Sequence, residues 1–149
     1  MKPITASFGV LAFLICINAV CAVNEESAAK IKSELENKGL TADATYVENS
    51  TYGLHGYVIV INVSDGDYLT ATRRAMIAAA DVVGKYPECA IIGLIGPDGK
   101  AYQLKINNID MVDIRYETFD NNLDASKDRA EKYFDSATVT TSQKLMDYF

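Results

Sequence analysis

Hydrophobic and polar positions alternate with two different periods along this chain, and each change of period marks an element. In NEESAAKIKSELENKG, Asn24 to Gly39, the apolar residues Ala28, Ile31 and Leu35 fall at helical spacing on one narrow stripe. Asn24 suits the N-cap, Glu25 and Glu26 suit the positive end of the helix, and Lys38-Gly39 suits its close. ADATYVE, Ala42 to Glu48, offers only Ala44, Tyr46 and Val47 for packing and reads as a weak edge strand. NSTYGLHG then separates it from YVIVINV, Tyr57 to Val63, which is β-branched and apolar on both faces. Ser64-Asp65-Gly66-Asp67 is a turn and cap. The longest helix follows, Asp67 to Pro87, with Leu69, Met76, Ala80 and Val83 on one stripe. Its alanines (Ala75, Ala78, Ala79, Ala80) permit close approach to a sheet, and Gly84 and Pro87 stop it.

The run CAIIGLI, Cys89 to Ile95, is again apolar on both faces and enters the turn Gly96-Pro97-Asp98-Gly99. Pro97 presets φ, Asp98 tolerates the tight position and Gly99 supplies a positive φ, as a hairpin requires. AYQLKIN beyond it alternates, with Tyr102, Leu104 and Ile106 inward and Gln103, Lys105 and Asn107 outward. The two doubly apolar strands belong at the centre. A helix bridging them demands a parallel, right-handed crossover. The expected fold is therefore α+β in two or three layers: a mixed four-stranded sheet of order 1-2-3-4, central pair parallel, from two αββ units plus a C-terminal helix.

Ile91, Gly93 and Ile95 point to one side of the sheet and Ala90, Ile92 and Leu94 to the other, and the earlier strand likewise separates Tyr57/Ile59/Ile61 from Val58/Val60. Both faces need cover. The crossover helix takes one; the other falls to the terminal helices or to a second molecule. In the tail, Ile109, Val112, Tyr116 and Phe119 recur at helical spacing, although Asp113 to Thr118 also reads as a strand. Asn122 caps a polar helix, Leu123 to Ala137. The last twelve residues carry no assignable pattern.

The first 22 of the 149 residues have the composition of a secretory leader. Met1-Lys2 starts positive, Phe8 to Ile17 is apolar, and Val20-Cys21-Ala22 fits a peptidase site. Cleavage after Ala22 leaves a single domain, 23–149, in an extracytoplasmic location; an uncleaved anchor or a lipidated Cys21 are the alternatives. Cys16 and Cys21 leave with the leader, so Cys89 has no disulfide partner and reads as a small core residue. Without Lys2 the chain holds 13 basic and 20 acidic residues, net −7. That balance disfavours nucleic acid and favours cations, basic proteins or plain solubility.

Chemistry-bearing patterns are few. His55 is the only histidine, and no HExxH, paired CxxC, Walker or GxGxxG pattern occurs, so no catalytic residue is assigned. One spacing suggests calcium: Asp120, Asn122, Asp124, Ser126, Asp128 and Glu131 occupy relative positions 1, 3, 5, 7, 9 and 12, and so resemble an EF-hand loop. Ala125 replaces its glycine and Lys127 its apolar position; the ordinary alternative is a capped acidic helix. Asn49 and Asn62 head glycosylation sequons. Tyr46, Tyr52, His55 and Tyr57 gather around the first hairpin as a candidate recognition loop.

The YVIVINV strand, the Ala-rich helix ending GKYPE and the strand-turn-strand after it resemble small exported proteins of methanogenic archaea, over Tyr57 to Ile106. The resemblance implies an envelope location and no activity. The expected function is binding, through a sheet edge, a sheet face or the first hairpin, with a protein partner or a second copy. A calcium-stabilised module and an enzyme with an unrecognised carboxylate site are the alternatives.

Overall fold

The two doubly apolar runs form the middle of one sheet. In a computed structural model, which describes residues 23–49, 53–83, 90–119 and 123–149, helix α1 (23–37) leads into strands β1 (Thr41–Asn49) and β2 (Leu54–Asn62). Helix α2 (Tyr68–Val83) then precedes β3 (Ala90–Ile95) and β4 (Ala101–Ile106). Helices α3 (Asn108–Phe119) and α4 (Leu123–Asp135), strand β5 (Thr138–Thr140) and the short helix α5 (Ser142–Met146) complete the chain. Residues 1–22, expected to be a leader, lie outside the described residues, as do Tyr52, the stretch from Gly84 to Cys89, Asp120 and Asn122.

The sheet order is β1-β2-β3-β4-β5. β2 and β3 run parallel, with Val58 opposite Ile91 and Val60 opposite Gly93, while the outer pairs are antiparallel. The parallel centre joined through α2 agrees with the expected topology. The strand number does not: the sheet has five strands, because Thr138-Val139-Thr140, in the unassigned tail, pairs with β4. Three residues are too few to display a period, so this strand is invisible to pattern reading. Position 113–118 is helical within α3, and the strand alternative for it falls away.

Side-chain alternation divides the core into two layers. On one face Tyr57, Ile59, Ile61, Ile92, Leu94, Leu104 and Ile106 meet all four long helices. Ala28, Ile31 and Leu35 of α1 are buried there, as expected of its stripe. From α2 the buried set is wider than one stripe: Ala71, Thr72, Ala75, Met76 and Ala78 to Ala80. Small side chains let this helix lie against the sheet while α3 and α4 pack along it. Thr72 tolerates burial because its hydroxyl donates to the Tyr68 carbonyl at 2.8 Å.

The other face carries Leu54, Val58, Val60, Ile91 and Ala101. Its expected cover was either the terminal helices or a second molecule, and the helices expected at the two ends, α1 and α4, do not lie on this side. α1, α3 and α4 share the face of α2; the described apolar cover of the second face is Leu145 of α5, with Tyr148 beside it. Leu145 fits because Gly93 has no side chain: a Cβ there would lie 2.7 Å from Leu145 Cδ1. Thr141 caps α5, its side chain accepting from the Lys144 amide. Among the described residues no helix is long and apolar enough to cross a membrane.

Candidate binding surface

β1 and β2 form a hairpin paired over nine residue pairs, Thr41–Asn62 to Asn49–Leu54. Both strands are longer than their apolar patterns suggest, because Gly56 sits opposite Val47 and takes φ 153° within the ladder. The extension brings His55 from the expected loop onto β2, whereas Tyr46 and Tyr57 lie on the strands expected for them. Tyr46 and Tyr57 are cross-strand partners in an edge-to-face contact, ring centroids 5.0 Å apart. His55 packs against Tyr46 at 5.7 Å with its ring at 74°. Glu48, opposite His55, comes within 4.0 Å of its imidazole. Tyr57 is buried and its hydroxyl donates to Asn24 at 3.4 Å, so it closes the core under the start of α1. Tyr46 is half-buried, and His55 and Glu48 are exposed, forming a short row beside the outer strand.

β1 is the outer strand. Among the described residues nothing pairs with its far side, so every second residue turns its backbone N–H and C=O outwards. Its side chains are half-buried from Asp43 to Val47. Lys32 of α1 reaches Asp43 at 2.7 Å, and that hydrogen bond holds its ammonium above the ordinary lysine range. This exposed pair restrains the strand against the helix and contributes little to stability.

The other candidate residues are placed differently. Residues 123–135 are wound as α4, so most of the calcium-like spacing lies on a helix. Ser126 is buried and accepts from Arg73 Nε at 2.9 Å, whereas Asp128 is exposed and Glu131 lies 3.9 Å from Lys127. The helix thus sets Ser126 on the side away from Asp128 and Glu131. Among the described residues no group of three or more His, Cys, Asp or Glu is placed to hold a metal ion. Asn62 is exposed at the end of β2, with Ser64 of its sequon also exposed.

Two constellations escaped the sequence reading. Asn107 caps α3 reciprocally with Asp110: the Asp110 amide donates to Asn107 Oδ1 at 2.8 Å and Asn107 Nδ2 to Asp110 Oδ2 at 2.7 Å. Asp110 then receives Arg129 Nη1 at 2.8 Å and the Tyr133 hydroxyl, while Arg129 Nη2 reaches Asp113 at 3.2 Å. Burial, together with the Asp110 carboxylate it faces, pushes the Tyr133 phenol well above its usual range. The Asn-x-x-Asp spacing is a capping signature and was the available signal. The second is a ring cluster of Tyr68, Tyr102 and Phe134, with Tyr68 stacked on Phe134 at 5.5 Å and set on edge to Tyr102 at 5.0 Å. The first joins α3 to α4 through polar atoms bonded to one another; the second joins α2 and α4 to β4, and the Tyr68 hydroxyl donates to Asp98 at 3.5 Å. A cleft of about 270 Å³ lies between Gln103 of β4 and Lys144, Asp147 and Tyr148. No family model, no curated protein and no solved structure matches the chain.

Proposed function

We propose that this chain is an extracytoplasmic, non-catalytic binding domain whose β1 edge takes up an extended polypeptide segment as an additional strand. The supporting observation is the nine-residue outer strand, paired along its whole length on one side only among the described residues. Main-chain hydrogen bonds would supply affinity, and side chains beside the edge would supply selectivity. Tyr46, His55 and Glu48 offer an aromatic surface and a carboxylate to alternate residues of the incoming strand. The acidic balance of the chain, with Asp43 and Glu48 on the edge itself, favours a neutral or basic partner.

A nine-residue probe of alternating valine and lysine tests the reading against a control of equal charge carrying prolines. Fluorescence anisotropy should register saturable binding of the first and none of the second, since proline removes the donors strand pairing needs. Tyr46→Ala should weaken binding several-fold while leaving the far-ultraviolet circular dichroism unchanged. Equal binding of probe and control would mean charge attraction alone and would refute strand addition.

A further inference from the structure

The last twelve residues form an arm that is lightly held. Its strand β5 is joined to β4 through three residue pairs. Its helix α5 buries one side chain, Leu145, in the notch above Gly93. Three large apolar residues of the arm stay exposed: Val139 at 68%, Phe149 at 49% and Met146 at 41%. Only Ser136 and Ala137 separate the end of α4 from β5. Their amides close the helix onto the Lys132 and Phe134 carbonyls at 3.3 and 3.0 Å.

We propose that this arm is exchangeable between two copies of the chain: opening at Ser136-Ala137 carries β5 and α5 onto the β4 edge and Gly93 notch of a second molecule. Every contact that holds the arm at home exists unchanged in the partner, so the exchange loses no strand pairing and no leucine burial. A two-residue hinge favours the extended, exchanged form over a tight return. The exposed Val139, Met146 and Phe149 show how little of the arm's apolar surface its home position covers, so little holds it against exchange. A complete second copy is therefore the partner this surface fits, and the surface is distinct from the β1 edge at the opposite side of the sheet.

The test uses two full-length chains, each with Cys16, Cys21 and Cys89 changed to serine. One carries Gln103→Cys and the other Thr138→Cys; these positions are direct partners across β4 and β5. A 103–138 disulfide in the mixture joins two molecules by construction. Oxidation after co-incubation should yield that linkage in peptide maps, in an amount that rises with protein concentration. Adding Gly93→Val to the Gln103→Cys chain blocks the notch, and adding Leu145→Asp to the Thr138→Cys chain spoils the arm; each should abolish the linkage. Leu145→Asp leaves the larger, helix-covered core untouched and is made on the other chain, so its readout stands if Gly93→Val fails to fold. Absence of the 103–138 linkage, or its persistence when the arm is spoiled, overturns the proposal.

Discussion

Gly93 and Leu145 decide how the second sheet face is closed. Valine at Gly93 would thrust methyl groups into the Leu145 isobutyl group, which is already too close, at 2.7 Å, for a bare Cβ. Gly93→Val should therefore destabilise the fold by about 1–3 kcal/mol, the usual cost of overpacking. Urea unfolding measures it, and a double-mutant cycle identifies the cause. With Leu145→Ala in the background the Gly93→Val cost should shrink; strict additivity would show that the two residues do not press on each other. Asp110 and Tyr133 carry a second prediction. The Tyr133 phenol is held neutral in the fold, above its usual value of 10.0. A raised folded pKa gives stability that is complete below the unfolded value and is lost as pH rises beyond it. Unfolding free energy should thus decline above about pH 10, by roughly 1.4 kcal/mol per pH unit while Tyr133 stays protonated. Tyr133→Phe should flatten that decline, and an unchanged alkaline slope would contradict it.

Among elements, those with a sustained period were readable and those without one were not. YVIVINV and CAIIGLI had to be central because both of their faces are apolar, and their parallel direction follows from the helix between them, whereas the register, Val58 opposite Ile91, has no signal in the sequence. The turn chemistry of Pro97, Asp98 and Gly99 specified the β3–β4 hairpin, where the Asp98 carboxylate accepts the Lys100 amide at 3.1 Å. The ends of β1 and β2 were hidden because Gly56 and Leu54 join the ladder without an alternating signal. β5 and α5 were hidden because each spans fewer than two periods of its pattern, and because their burial depends on a partner far away in sequence. Among the recognition residues, Tyr46 and Tyr57 fall on the strands expected for them, while His55, expected in the connecting loop, is fixed in the ladder opposite Glu48. Amide exchange should reproduce this ranking. Amides of Val58 to Ile61 and Ile91 to Leu94 should exchange only through global unfolding, whereas β5 should exchange through local opening. Protection of β5 equal to that of β3 would contradict a lightly held arm.

At the scale of the whole molecule, one well-built helical layer covers one side of the sheet, and the chain leaves its two ends of the sheet unlike. β5 ends the sheet with three residues, too short to template another chain. β1 ends it with nine, bordered by Tyr46, His55 and Glu48. The net charge of −6 over the whole chain discourages acidic partners and sets a salt dependence for basic ones. Binding of the valine–lysine probe should weaken as salt rises without vanishing, since main-chain bonds are not screened. Complete loss at about 0.5 M salt, where the Debye length falls to roughly 4 Å, would point to charge alone.

The most direct measurement follows the β1 amides, residues 41–49, by residue-resolved hydrogen exchange with and without the valine–lysine probe. In the free chain every second amide should exchange fast, and those amides should slow together when the probe binds while the β2-paired set stays unchanged. Uniform protection along β1 in the free chain, or binding that leaves the fast amides fast, would contradict an open edge that accepts a strand.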